Sequence, residues 1–469
     1  MVILVVLATV AWTYREPLIV KRDHLIGHYR EFKGTMTLQT GTLVDHSRSR
    51  NWVNRYRELP DTFEYISPFL FFRTPGKVRV DDLARYAIRF TPEHSVKVFK
   101  QKLISANNLE ETTIPADTNL VIPGTLPPLE AENAPLEERK VPFIRGIYIT
   151  GHRAGSESFR KMLPRLKEVG INAVVFDAKD IPGILSYYSS TPAARKYNTH
   201  ARRSIDNIHQ LLREMKKEGI YSIVRIAVFR DHLLARSNPE LAITSRSTGG
   251  LFNAAGEIWC DPTNREVQDY NIGLAKELAK AGADEIQFDY IRFPTGGNLA
   301  DAVYDYDFGK KSRQKTIAHF LSRARKAVRK EDAFLSIDIF GIVAWGKEID
   351  MWKTGQQIEK LAGNCDVISP MLYPSHFNDN FEGHARPGDA PYYFIKRGTE
   401  LVRSRGGETS LIRPWLQAFG WRVSRYDEDY IRKQVKACRD SGAHGYLFWN
   451  AKNDYRVVFR AMKELAGEN

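Results

Sequence analysis

The chain is 469 residues long, more than one ordinary domain needs and enough for two or three. Hydrophobic residues make up 43% and charged residues 27%, which provides for a sizeable core and excludes a disordered polymer. Lys and Arg outnumber Asp and Glu by 69 to 56, a formal +13 that suits an acidic partner. Residues 1–140 hold 19 basic and 17 acidic residues, leaving 50 and 39 for the rest, so the excess belongs to the C-terminal part and is spread along it. No basic tail or Arg repeat is present, which argues against nucleic acid as a partner. Cys260, Cys365 and Cys438 form no CxxC pair, so a zinc ribbon or thioredoxin-type site is excluded.

The chain opens with an apolar run, residues 1–12, followed by Arg15, Lys21 and Arg22. It is shorter than the roughly 20 apolar residues that span a bilayer. It reads either as the remnant of an export signal or anchor, or as a buried strand or helix. The first reading predicts a cell-envelope, periplasmic or extracellular protein. An extension over 13–65 shows no period. Residues 66–124 then suggest a small α+β module. A strand-like run fills Ile66–Phe72, and Leu83, Ala84, Ala87 and Phe90 recur at helical spacing. Its second half reads Ile104-Ser-Ala-Asn-Asn-Leu109, then Ile114-Pro-Ala-Asp-Thr-Asn-Leu-Val-Ile-Pro123. This half resembles a LysM glycan-binding module, in which a helix ends in such an Asn-Asn-Leu turn and a short strand closes the sheet. The resemblance implies a peptidoglycan or chitin-like partner. Residues 125–142 are Pro-rich and acidic, the composition of an extended linker.

From residue 143 to 469 the pattern is regular. Short β-branched and aromatic runs recur at 146–150, 173–177, 222–229, 285–290, 335–340, 367–373, 413–419 and 445–450, with helical stretches between them. Ser156, Ser204 and Asn264 stand where N-caps of helices over 159–169, 205–218 and 267–281 belong. Gly170, Gly219 and Gly282 stand at the matching C-caps. Eight such units predict a (β/α)8 TIM barrel. No GxGxxG follows the first strand, which argues against a doubly wound nucleotide-binding sheet.

In such a barrel the strands' C-terminal ends build the site. Those positions offer Asp177 and Lys179, then Arg225, with Trp259 in the insertion after strand three. Asp289 and Arg292 follow strand four, Asp338 lies on strand five, and Tyr373 and His376 follow strand six. Trp415 and Gln417 lie on strand seven, Trp449 and Asn450 on strand eight. Paired carboxylates are what glycoside hydrolysis requires, one to protonate the leaving oxygen and one to attack or to activate water. Aromatic faces stack on sugar rings, while Arg, Asn and Gln hydrogen-bond the hydroxyls. Asp289 and Asp338 are expected to face each other across one cleft with Arg292 and Tyr373 close by. A neighbouring Arg would keep Asp289 charged, as nucleophile or charge stabiliser. The apolar strand Leu335–Phe340 would desolvate Asp338 and suit it to general acid work. Asp177 is the reserve for either role.

The blocks Arg145-Gly-Ile-Tyr-Ile-Thr150, Phe176-Asp-Ala-Lys-Asp180 and Gln287-Phe-Asp-Tyr-Ile-Arg-Phe-Pro294 resemble those of a bacterial glycoside-hydrolase-like barrel family once known only as a domain of unknown function. Ser336–Gly341, Asp366–Pro374, Arg413–Phe419 and Gly445–Asn450 fit it too. The resemblance implies a glycosidase-like barrel, often exported and sometimes fused to cell-wall-binding modules; it gives no substrate, and the LysM-like half agrees with a cell-envelope or extracellular polysaccharide. By analogy with related barrels it puts the nucleophile after strand four and the acid after strand five, although those acids are often Glu where this chain has Asp338.

No cofactor is implied. Strand one ends in the single His152, where a metal-dependent hydrolase on this barrel would carry His-x-His, so no metal is expected. The alternative from another class is a non-catalytic glycan-binding barrel that scaffolds the envelope, which would keep Tyr373, Trp415 and Trp449 without needing the Asp pair.

Overall fold

The computed structural model describes residues 62–66, 69–109, 112–126, 140–197, 204–305 and 312–467. The apolar opening and residues 13–61 lie outside these. The chain divides into two compact units, Met1–Asn133 and Ala134–Asn469, each with its own hydrophobic core.

In the first unit, β1 (Phe63–Ile66), β2 (Phe69–Arg73) and β5 (Asn119–Ile122) form an antiparallel sheet with β2 in the centre. The short β3 (Val78–Arg79) pairs with β4 (Thr113–Ile114). The single strand expected over 66–72 is thus divided between β1 and β2. The expected helix starts earlier, at Val80–Ala87, and tightens into a 3-10 turn at Ile88–Phe90. A second helix, Val96–Asn107, ends at the Asn-Asn-Leu turn where a helix end was expected. Val80, Leu83, Ala84, Phe99 and Leu103 pack on Leu70, Phe72, Leu120 and Ile122. Asn107 at the helix end exchanges two 2.8 Å hydrogen bonds with the Val121 backbone, pinning the helix to β5. Asn108 then turns left-handed at φ 47°, a conformation Asn tolerates better than most residues.

The second unit is a closed barrel. Its strands are β6 (Ile144–Ile149), β7 (Ala173–Lys179), β8 (Tyr221–Ala227), β10 (Glu285–Asp289), β12 (Phe334–Phe340), β13 (Val367–Met371), β15 (Trp415–Gln417) and β16 (Gly445–Trp449). Each runs parallel to the next, and β16 on β6 closes the ring. The pair β14 (Leu411–Ile412) extends the start of β13, because Arg413-Pro414 interrupts the run expected over 413–419. Beyond β8 and β10, β9 (Thr244–Ser245) and β11 (Ala302–Val303) form a small antiparallel ribbon. Two helix expectations are corrected. Pro164 breaks the helix begun by Ser156 after Met162, leaving two 3-10 turns. Ser204 is not a cap, because Ile205 bridges Tyr187 and Asn207 caps the helix Ile208–Lys217 instead. Asn264 caps Arg265–Ala281, and Gly170, Gly219 and Gly282 all turn left-handed, as expected.

Alternation along the strands sends every second side chain inward. Ile144, Tyr148, Ala173, Val175, Ile223, Trp415 and Leu447 meet there. At Gly146 a Cβ would come within 2.6 Å of Leu447, so glycine lets that leucine fill the barrel. At the strands' N-terminal end, Arg413 and Glu285 form a fully buried ion pair with contacts of 2.9, 3.1 and 3.2 Å. Tyr221 adds a hydroxyl donor at 3.3 Å. Removing one partner strands the other charge in the core. Glu285→Gln or Arg413→Met alone should therefore cost about 3–5 kcal/mol in denaturant unfolding, and Glu285→Leu with Arg413→Met should recover most of that loss.

Candidate active site

The C-terminal ends of β6, β7, β8, β10 and β12 converge on one buried cation. Arg225, 2% exposed, sits on β8 in register with Asp177 on β7 and two residues before Ala227, the partner of Asp289. Its Nη1 donates to Asp177 Oδ1 and its Nη2 to Asp289 Oδ2, the latter at 2.5 Å. Its Nε lies 3.9 Å from Asp338 Oδ2 and has no hydrogen-bond acceptor. Each carboxylate has a further donor. Tyr148 on β6 donates to Asp177 Oδ2, the Tyr290 backbone N–H to Asp289 Oδ1, and Trp415 Nε1 to Asp338 Oδ1 at 2.7 Å. The three Asp residues named from sequence therefore meet within the reach of one guanidinium.

Burial opposes the charge on Arg225, but Asp177 and Asp289 outweigh it and hold the guanidinium firmly protonated. Burial pushes the Asp177 carboxyl upward against the pull of Arg225. Asp338 is pushed well above the carboxylate range, first by burial and then by the charge of Asp289. It is the carboxyl farthest from the shared cation, 3.9 Å from Nε where the other two hydrogen-bond the guanidinium directly.

The aromatic surround is ordered by the same strands. Trp449 stacks on Tyr148 with centroids 3.9 Å apart and meets Trp415 edge-on at 5.7 Å. Tyr373 is buried, and burial with Asp338 and Asp289 drives its hydroxyl far above the usual tyrosine range. Beyond it, His376 contacts Tyr373, Phe419 and the 55% exposed Trp421 with centroids 5.2, 5.9 and 5.3 Å away. Burial, then Arg422, lowers the His376 pKa and favours the neutral ring.

Several expectations are corrected. Lys179 faces away from the barrel axis: an irregularity in the β7–β8 register after Asp177 turns it outward. There it is fully buried against Asp231 at 2.7 Å and Asn271 at 2.9 Å. Gln417 and Asn450 spend their amides on the backbone. Gln417 accepts from Ser375 N–H and donates to Phe419, while Asn450 donates to Ala418 and Asp454. Arg225 turns Nη1 and Nη2 to Asp177 and Asp289 rather than presenting them to substrate. The arginine hydrogen-bonded to Asp289 is Arg225, while Arg292 lies within its electrostatic reach without pairing. Trp415 is 1% exposed and orients Asp338, and Trp259, equally buried, has the Arg292 guanidinium 4.6 Å over its ring.

Sequence reasoning missed Tyr148, which had a signal, since it alternates with Gly146 onto the inner face of β6. Tyr290 stands at the strand-four end where the sequence puts chemistry, but its φ of 53° is the left-handed region that a bulky residue avoids, and that conformation is seen only in the structure. That turn aims its N–H at Asp289. Among the described residues, no group of three His, Cys, Asp or Glu is arranged to hold a metal ion.

A closed eight-stranded parallel barrel with carboxylates clustered at its C-terminal mouth is an architecture that glycoside hydrolases share with many other enzymes. The chain belongs to the family described as "Putative glycosyl hydrolase domain", whose model matches residues 146–455. The PgaB (BpsB) glycoside hydrolase domain of Bordetella bronchiseptica aligns with 16% identity over 69% of this chain and 99% of that one, at a TM-score of 0.52, a likeness of fold. A hypothetical protein from Ruminiclostridium thermocellum is 33% identical over 41% of this chain and 96% of its own, with a TM-score of 0.37. No curated protein matches the sequence.

The raised Asp338 carboxyl has a consequence for stability. A folded-state pKa above the unfolded one, about 3.9, means that folding is favoured below that value and penalised as pH rises toward the folded pKa. Asp338→Asn removes the penalty and keeps an acceptor for Trp415. Thermal melts should show the variant more stable than wild type at pH 7, with the gain shrinking toward zero below about pH 4.

Proposed function

We propose that the barrel hydrolyses glycosidic bonds in a cell-envelope or extracellular polysaccharide, with Asp338 as general acid and Asp289 as nucleophile or charge stabiliser. The observation that carries this reading is the unequal sharing of Arg225 among three carboxylates. Asp338 Oδ1 is held by Trp415, which leaves Oδ2 to carry the proton toward a glycosidic oxygen. As that proton leaves, Asp338 becomes an anion 3.9 Å from the Arg225 N–H that has no acceptor beforehand. The guanidinium then gains a partner only as the reaction proceeds, which is how binding energy lowers a barrier rather than a ground state. Asp289, fixed by Arg225 and the Tyr290 N–H, faces the positive charge that develops at the anomeric carbon. Asp177 holds Arg225 from the far side and acts through it. Trp449 and the Tyr373–His376–Trp421 group supply the apolar faces for neighbouring sugar rings.

Asp289→Asn and Asp338→Asn should fold, and each should lose several orders of magnitude in turnover on a panel of purified bacterial envelope polysaccharides. One observation favours a second reading, a non-catalytic glycan-binding barrel: Asp338 is only 1% exposed. That reading gains if the wild type binds polysaccharides of the panel and releases no product from any.

The first unit supports an envelope role. Its two helices between paired antiparallel strands, with the Asn107-Asn108 turn before β5, suit the LysM-like module expected from sequence. We propose that it tethers the barrel to a peptidoglycan or chitin-like glycan. The full chain should sediment with insoluble peptidoglycan or chitin, and a chain lacking residues 1–133 should stay in the supernatant. Equal sedimentation of the two would remove the tether.

A further inference from the structure

Arg292, in the turn after β10, is a cation in an environment that ordinarily does not keep one. It is 6% exposed, and its guanidinium lies 4.0 Å over Phe340, 4.6 Å over Trp259 and 5.7 Å over Tyr290. Among the described residues no carboxylate pairs with it. Its single hydrogen bond runs from Nη1 to the Phe293 carbonyl at 3.0 Å. Asp289 is engaged by Arg225, as described above. Glu257, within electrostatic reach, is held by Arg230 at 2.6 Å and by Trp259 Nε1 at 3.1 Å. Burial lowers the Arg292 pKa to about 10, which still leaves it charged at neutral pH.

A desolvated guanidinium without a counter-ion costs stability unless something repays the cost. Its unused edge is Nε with Nη2, the pair of parallel N–H groups that matches the two oxygens of a carboxylate. With aromatic rings 4.0 and 4.6 Å over the guanidinium and Nη1 on the Phe293 carbonyl, that edge is where a further hydrogen-bonded partner can dock. Phe340 ends β12 and Tyr290 follows Asp289, so the guanidinium stands beside the ends of the two strands that carry the candidate acid and nucleophile. The surplus positive charge of the C-terminal part, 50 basic against 39 acidic residues, is of the sign that draws such a chain in.

We propose that Arg292 is the specificity-determining residue for a carboxylate on the substrate, so that the polysaccharide bound at the barrel mouth is an acidic one built of uronic-acid-type sugars. The inference rests on the glycan-binding reading of the mouth but not on the identity of the catalytic pair. A lysine would keep the charge and lose the fork, so Arg292→Lys separates bidentate recognition from simple attraction.

The test is equilibrium binding of the full chain to oligosaccharides of glucuronate, galacturonate and mannuronate, each beside its carboxyl-reduced counterpart. At least one acidic form should bind ten-fold or more tightly than its reduced form. Arg292→Gln should abolish that ratio, Arg292→Lys should keep only a small part of it, and Asp289→Asn should retain it. Melting temperatures confirm that each variant is folded, and if Arg292→Gln is not, the Arg292→Lys ratio decides. Equal binding of every acidic and reduced pair, or a ratio that survives Arg292→Gln or is whole in Arg292→Lys, overturns the proposal. Cleavage of a neutral glycan with Arg292→Gln unimpaired would overturn it too, while leaving the glycosidase reading in place.

Discussion

One buried guanidinium organises this barrel's mouth. Ionised carboxyl groups removed from water are costly one at a time, and three in mutual contact are costlier still. Arg225 makes the cluster tenable by meeting Asp177 and Asp289 directly and leaving Asp338 at 3.9 Å. A single positive charge does not balance three negative ones in a low-dielectric interior. Burial and the charge of Asp289 favour the protonated form of Asp338, the carboxyl with the weakest hold on the cation.

The same logic extends down the barrel axis. Interiors of this fold are commonly filled by branched apolar side chains. Here the N-terminal end of the strands holds the Arg413–Glu285 pair and the C-terminal end the Arg225 cluster, with Ile223 and Val175 among the apolar side chains also in the interior. Lys179 and Asp231 show how the outer layer manages charge too: both are fully buried and pair as ions 2.7 Å apart, while the Lys179 ammonium donates to Asn271 and to the Val228 carbonyl.

Much of this was legible in the sequence because it is periodic. Short β-branched runs alternating with helical stretches are a local property, and they placed all eight strands within a few residues. Asp289, Asp338 and Asp177 were found because strand ends in such a fold are where chemistry gathers. The failures have physical reasons. The irregularity after Asp177 reversed the direction of Lys179, and nothing in the residues Asp-Ala-Lys announces it. Gln417 and Asn450 have the chemistry to bind sugars, but loops near a barrel mouth also need their carbonyls satisfied, and the backbone claimed both amides. Arg225 was read as a ligand for substrate because sequence shows a residue's charge and not its neighbours. Tyr290 lies in a backbone conformation that its side chain disfavours, and local preference points away from it. The Arg292 environment is assembled from segments 33 and 48 residues away, Trp259 and Phe340, which no local pattern connects.

The central claim is that Asp338 carries a proton at neutral pH while Asp177 and Asp289 share Arg225. Infrared difference spectroscopy of the wild type against Asp338→Asn at pH 7 reads this directly. The account predicts the carbonyl stretch of a protonated, buried carboxylic acid in the wild type and its loss in the variant. Absence of that band from the wild type, or its persistence in Asp338→Asn with loss only in Asp177→Asn or Asp289→Asn, would contradict it.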